Sequence, residues 1–206
     1  MTKGKAGDMN TSSGTAEATR ALRRLLRASA LAFARHDPAL SRALMAALPR
    51  LGTVACLPSG ALAPPELGPP EAGESALDCL RAAAPRLAWR RPGFGQLPEA
   101  ISGAILVTEI LGPDGMVPHD TLRFGALHQQ AGHDYPEHNH RAEEIYHVLA
   151  GTALWSMGGG APEPRGAGDF IHHPPSVMHA MHTRAEPMLA LWVWRGDIGA
   201  RSYRLR

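Results

Sequence analysis

The pattern of apolar and polar positions changes character along the chain. Over residues 15–35 leucine and alanine recur at helical spacing, and Leu22, Leu25, Leu26 and the run from 28 to 33 form a broad apolar stripe, the signature of an amphipathic helix. A second short helix is expected over 38–48, where Pro38 suits a first helical turn. A third is expected over 74–84, stopped by Pro85. Residues 52–73 are rich in proline and glycine and read as a connecting loop that wraps the surface. Beyond about residue 100 the pattern breaks into short β-type runs at 104–111, 121–129, 144–150, 153–157, 169–172, 179–183 and 188–195. Turn punctuation separates them, as in Gly112-Pro113-Asp114-Gly115, Gly158-Gly159-Gly160 and Glu186-Pro187. Many short strands so spaced predict a mainly β domain, a sandwich or barrel. The expected organisation is a disordered tail over 1–13, a helical extension and Pro/Gly-rich connection over 14–99, and a β-barrel over 100–206.

Composition narrows the class. With 206 residues and 44% hydrophobic content the chain can bury an ordinary core. No apolar run approaches the roughly 20 residues that span a bilayer, and MTKGKAGDMNTSSGT lacks the apolar centre of a signal peptide. Two cysteines, Cys56 and Cys79, are too few for a secreted disulfide scaffold, so a cytoplasmic setting is the default. The net charge of +2 is no nucleic-acid signal: Lys3 and Lys5 are the only lysines, and every other basic residue is arginine. Arg20, Arg23, Arg24 and Arg27 read as the solvated face of the first helix rather than a basic groove or a membrane surface. Neither nucleic acid nor membrane is expected as a partner.

The stretch GHDYPEHNHRAEEIYHVLAG carries the chemistry. It sets His138, His140 and Glu144 within seven residues, and GDFIHHPPSVMHAMHT adds His179. Three imidazoles and a carboxylate suit a divalent transition metal, and Zn, Fe, Mn, Co and Ni all accept such a set. Residues two apart on a strand share a face, so His138 pairs with His140, and Glu144 with Tyr146, around a turn at 141–143. Glu143 then points away and reads as a solvated carboxylate. His172, His173, His147 and His182 read as exposed or edge positions. Trp192 and Trp194 share one face of the last long strand, either as core or as an aromatic wall for a cationic group.

Gly132, His138, His140, Glu144 and Gly151 fit the first cupin motif, G-(five)-HxH-(three)-E-(six)-G, without a gap. Gly168, Pro174 and His179 fit the second, with Ser176 where glycine is usual and Thr183 where asparagine is. The C-terminal half therefore resembles the cupin superfamily, which implies a jelly-roll-like β-barrel. Tyr135-Pro136, His138-Asn139-His140 and Ala142-Glu143-Glu144-Ile145-Tyr146 are further similar to the bacterial cupin-type dimethylsulfoniopropionate lyases and their lyase-like relatives. That resemblance implies that the three histidines and Glu144 hold one metal per chain, with Tyr135 and Tyr146 lining the pocket. A helical N-terminal extension is also found in some of those proteins.

The chemistry so implied is an elimination. Tyr146 or Tyr135, made more acidic by a nearby cation, removes a proton alpha to the substrate's carboxylate, and a β-sulfonium leaves as dimethyl sulfide, giving acrylate. Two other classes fit the ligand set: an Fe(II) dioxygenase acting on a small thiol or acid, and a non-catalytic metal-binding cupin. The expected partners are a small carboxylate substrate carrying a sulfonium in the first reading, and a second copy of the chain in a homodimer.

Overall fold

The structure, a computed structural model, describes residues 7–52 and 61–206. Residues 1–6 of the expected tail, and Cys56, lie outside the described residues. The chain divides into two compact units, one of residues up to 61 with 66–87, the other of 62–65 with 88–206.

The first unit is helical. Helix α1 (Gly7–Phe33) starts well before the Thr15 expected from the pattern, so residues 7–13 are helix rather than tail. The polar residues and glycine there each disfavour helix by about 1 kcal/mol or less, which propagation from an established helix tolerates. Leu22, Leu25, Leu26, Ala30 and Phe33 of α1 are buried, while Arg20, Arg23, Arg24 and Arg27 are exposed, as a solvated face requires. Helix α2 (Pro38–Ala47) opens on Asp37, whose side chain accepts from Leu40 N at 2.9 Å. Helix α3 (Ala76–Ala83) opens on Ser75, which accepts from Asp78 N at 3.1 Å.

The second unit holds two antiparallel sheets. One has the order β1-β2-β3-β10-β5-β8, built from Trp89–Arg90, Ile105–Leu111, Leu122–Gln129, Met188–Gly196, Ala142–Ala150 and Phe170–His173. The other has the order β11-β4-β9-β6-β7, from Arg204–Leu205, Asp134–Asn139, His179–Thr183, Thr152–Met157 and Glu163–Gly166. This is the cupin-type barrel that the motifs imply, preceded in the chain by α-helices. Seven strands match the expected runs to within a few residues. The others, β1, β4, β7 and β11, are short or polar and carry too little periodicity to be seen. A last helix, α4 (Glu99–Ser102), leads into β2.

Inside the barrel, Val107, Leu127, Tyr146, Val148, Trp155, Met181, Trp192 and Trp194 belong to one buried cluster. At its wall lies a buried ion pair: Arg123 Nη1 is 2.8 Å from both Glu109 oxygens, and its Nε donates to Ile198 O at 2.9 Å. The glycine that ends the first motif is required by its backbone. Gly151 sits at φ +72, and a Cβ there would stand 1.8 Å from Pro187 O. Ser176 takes the usual glycine's place in the second motif and still adopts φ 66, so the turn is kept at a small cost in strain.

Gly125 of β3 tests how tightly the sheet is packed. A Cβ there would lie 1.8 Å from Thr108 O, whereas one at Gly166 would meet its nearest atom at 3.7 Å. Gly125→Ala should destabilise the protein by about 1–3 kcal/mol or more, and Gly166→Ala much less. Urea unfolding of the two variants side by side checks this; equal midpoints would contradict the packing.

Candidate metal centre and active-site cavity

Strand register gathers the site around one carboxylate. Glu144 is the third residue of β5, paired with His173 of β8 on one side and with Trp194 of β10 on the other. Direct cross-strand neighbours point to the same face, within reach of each other. Trp194 Nε1 accordingly donates to Glu144 Oε1 at 2.6 Å, and His173 Nδ1 lies 3.1 Å from Oε2. Trp155 Nε1 donates to His173 Nε2 at 3.0 Å, so the His173 proton sits on Nδ1 and is directed at the carboxylate. His138 of β4 faces His179 of β9 in the same way. His140 follows the end of β4, in the turn rather than on the strand.

Each of these three histidines has its tautomer set by a backbone carbonyl two residues away. His138 Nδ1 is 2.8 Å from Pro136 O, His140 Nδ1 3.0 Å from Ala142 O, and His179 Nδ1 2.9 Å from Val177 O. Donating from Nδ1 leaves Nε2 with a bare lone pair, the form in which imidazole binds metals. Two of these nitrogens crowd Glu144 Oε2: His140 Nε2 at 3.1 Å and His179 Nε2 at 3.2 Å. His179 Nε2 is buried and makes no hydrogen bond of acceptable geometry there. Lone pairs facing lone pairs at this distance need a cation between them, either a proton or a metal ion. Ligands about 2.0–2.2 Å from one ion stand roughly 3.0–3.5 Å from each other, so the spacing suits an ion.

His140, Glu144 and His179 can all offer an atom to one ion, within 4.8 Å of one another, while His138 falls outside that group. His138 is buried beside it, with its ring centroid 4.2 Å from that of His179. Burial, then His179, hold the His138 imidazole well below its usual range. Burial works to raise the Glu144 carboxyl, but the neighbouring imidazoles, with the hydrogen bond from His173 among them, hold it well below the usual carboxylate range. Glu144 is therefore an anion, available to a metal.

Above this group opens a small cavity lined by Glu144, His138, Tyr135, Tyr146, Tyr203, Trp192, Trp194, Phe94 and Arg90, with Val107 and Leu127. Tyr146 is buried, and burial and the adjacent Glu144 push its phenol well above 10. Tyr135 stacks on His138 with ring centroids 4.2 Å apart, and its hydroxyl lies 3.1 Å from that of Tyr203. Burial and Tyr203 push Tyr135 well above 10, and burial pushes Tyr203 to about 12. Trp192 is tied by its Nε1 to Ala126 O at 3.2 Å. Both tryptophans thus line the cavity, and Trp194 also orients the carboxylate.

Several expectations need correcting. His173 was expected at an exposed or edge position; β8 is indeed the edge strand beside β5, but the His173 side chain turns inward, where it is fully buried and donates to Glu144. His172, its neighbour, is exposed as expected. Glu143 does point away from Glu144, but it is not simply solvated: Arg195 reaches both its oxygens at 2.6 and 2.7 Å, and His172 lies 2.6 Å away. Tyr203, Phe94 and Arg90 reach the cavity from the far ends of the barrel chain. Only the scarcity of tyrosine, three in the chain, singled out the first of them.

Metal analysis of variants tests the centre. His140→Ala, Glu144→Ala and His179→Ala should each lose most bound metal, and His138→Ala the least of the four ligand candidates. His173→Ala and Trp194→Phe should keep the site but weaken affinity by about 10- to 100-fold, the usual effect of removing a partner of a ligand. Full occupancy after Glu144→Ala would remove that residue from the site.

Known proteins resemble this chain along most of its length. The DMSP lyase family model, for dimethylsulfoniopropionate lyase, matches residues 34–190. Dimethylsulfoniopropionate lyase DddQ of Ruegeria pomeroyi is 42% identical over 89 residues, 43% of this chain and 44% of that protein. The match thus spans less than half the length of that curated relative. A crystal structure of DMSP lyase DddQ from Ruegeria pomeroyi aligns with TM-score 0.61 and 30% identity over 84% of this chain and 95% of that one. Another, from a study of the DMSP lyases RdDddP and RnDddQII, aligns with TM-score 0.64 and 28% identity over 92% and 99%. Among the described residues no helix is long and apolar enough to cross a membrane. With the family model matched over residues 34–190, the chain belongs to the dimethylsulfoniopropionate lyase family.

Proposed function

We propose that this protein is a metal-dependent carbon–sulfur lyase that cleaves dimethylsulfoniopropionate, or a related β-substituted acid, to dimethyl sulfide and acrylate. The observation that carries the reading is the meeting of two phenols, Tyr146 and Tyr135, with the buried Glu144–imidazole group in one aromatic cavity. An elimination needs a base, a means of stabilising charge on the acid, and a place for the cationic leaving group. Oxygen activation does not require paired phenols, so the geometry favours elimination over an Fe(II) dioxygenase.

His140, Glu144 and His179, with His138 beside them, would hold the metal. When bound, a divalent ion supplies positive charge that eases ionisation of a nearby phenol and favours negative charge on the substrate's carboxylate. The rest falls to side chains. Tyr146, two residues beyond Glu144 and directly opposite Trp192 in the register, is the base that takes the proton alpha to the carboxylate. The electron pair of that C–H bond becomes the new Cα=Cβ bond, and the pair of the C–S bond leaves with dimethyl sulfide. Tyr135, stacked on His138 and paired with the Tyr203 hydroxyl, closes the opposite side and is the alternative base. The indole faces of Trp192 and Trp194 suit the sulfonium by cation–π attraction. The aromatic lining excludes water and leaves few groups to compete for the proton.

Headspace detection of dimethyl sulfide from metal-loaded protein given dimethylsulfoniopropionate tests the reading. Silence with several metals at millimolar substrate would move it to another β-substituted acid. Tyr146→Phe should lower turnover by at least ~10²-fold with metal retained, the size of a general-base contribution. Tyr135→Phe should be comparable or milder. Near-normal turnover in both variants would sink the tyrosine-base mechanism.

A further inference from the structure

Of the two phenols that face the Glu144 group, Tyr135 is the one its own strand holds less firmly. Tyr146 sits in β5 with regular partners on both sides, Trp192 of β10 and Ile171 of β8. Tyr135 pairs with Met181 of β9, but the register of β4 slips between Tyr135 and His138, across Pro136. Stacking on His138, with ring centroids 4.2 Å apart and planes 11° from parallel, fixes the plane of the Tyr135 ring. Stacked rings tolerate a range of offsets, so stacking alone leaves the hydroxyl free to move within that plane.

The missing hold comes from Tyr203, whose hydroxyl lies 3.1 Å from that of Tyr135. Tyr203 is buried, with its ring centroid 5.5 Å from that of His138 and 6.4 Å from that of Phe94. Its neighbours along the chain tie it to β4. Arg204 and Leu205 of β11 pair with Asn139 and His138, and Arg206 N donates to Glu137 O at 2.9 Å. On the other side Ser202 Oγ accepts from Arg141 N at 3.1 Å and donates to Gly199 O at 2.8 Å. Tyr203 is thus anchored on both sides to the strand and turn that carry Tyr135, His138 and His140. Packing of its ring against Phe94 and His138 asks only for a phenylalanine. What a tyrosine adds is the hydroxyl, able to donate and to accept, and that hydroxyl meets Tyr135.

We propose that Tyr203 is a positioning residue: through the hydrogen bond between the two hydroxyls it sets where the Tyr135 oxygen stands in the cavity. The inference rests on the lyase reading for what that oxygen does in turnover, but not for where it stands. Displacing a group that meets the substrate by about 1 Å can cost as much as ~10²-fold in rate, so a single hydroxyl acting through Tyr135 has a measurable effect. The short strand β11 is then part of the active site, because it delivers this hydroxyl.

A crystal structure and steady-state kinetics of full-length, metal-loaded Tyr203→Phe test this together. The variant keeps the ring and its packing, so its metal content should equal that of the wild type, while the Tyr135 ring should lose its single position over His138. With dimethylsulfoniopropionate, kcat should fall ~10-fold and KM should stay within about twofold, whereas general damage to the site would change KM and metal content as well. Residues that act through one another are not additive. In a Tyr135→Phe background, Tyr203→Phe should therefore cost less than about twofold more. A Tyr135 ring that keeps its place in Tyr203→Phe, an unchanged kcat in an active enzyme, or full additivity overturns the proposal. Should Tyr203→Phe not fold, Tyr135→Phe breaks the same hydrogen bond from the other side: its ring should likewise leave its single position, and one that stays stacked as in the wild type overturns the proposal. A wild type that releases no dimethyl sulfide, together with a Tyr135 displaced in Tyr203→Phe, would discard the lyase reading and leave Tyr203 assigned.

Discussion

A carboxylate buried inside a barrel of aromatic side chains is the constraint to which the rest of this site answers. Burying an unpaired ion costs several kcal/mol even after the surroundings relax, and Glu144 is only 2% exposed. Its two oxygens are met from opposite strands by the Trp194 indole and the His173 imidazole. Those donors stabilise the anion but leave Oε2 crowded by the bare nitrogens of His140 and His179. The arrangement is satisfied when a cation joins them. The capacity to hold a metal thus follows from how donors and acceptors are distributed, not only from which residues are present.

The cavity above the carboxylate follows from the same strands. Because β10 lies between β3 and β5, its alternate residues Trp192 and Trp194 stand beside Tyr146 and Glu144. One strand therefore supplies both the support for the carboxylate and the aromatic wall. The phenols differ in how they are held: Tyr146 is fixed by its place on β5, and Tyr135 by stacking on His138 and by the Tyr203 hydroxyl. Burial raises all three phenols above their ordinary range, so a nearby cation would be needed for any of them to ionise.

Much of this was legible in the sequence where the signal is local. The spacing from Gly132 to Gly151 places two histidines, Glu144 and Tyr146 near one another on any pair of adjoining strands, and short β-type runs bounded by turn residues revealed β5, β9 and β10. What was hidden depends on pairing between distant segments. His173 becomes a donor to Glu144 only because β8 lies against β5, and parity within its own four-residue strand does not reveal that. His140 acts from a turn and β4 carries a proline, so neither has a clean strand pattern. Arg90 and Tyr203 reach the cavity from strands of two residues each and their flanks, too short for any periodicity. Ser176 shows the converse: a departure from the usual glycine left the turn geometry intact.

The most direct test is anomalous diffraction from crystals of the metal-loaded protein, collected on either side of the metal's absorption edge. One peak should appear among Nε2 of His140, Nε2 of His179 and a Glu144 oxygen, at about 2.0–2.2 Å from each, with Nδ1 of both histidines still bonded to Ala142 and Val177 carbonyls. A protein that binds stoichiometric metal with its peak outside this group, or with Glu144 turned away from it, would contradict the central claim.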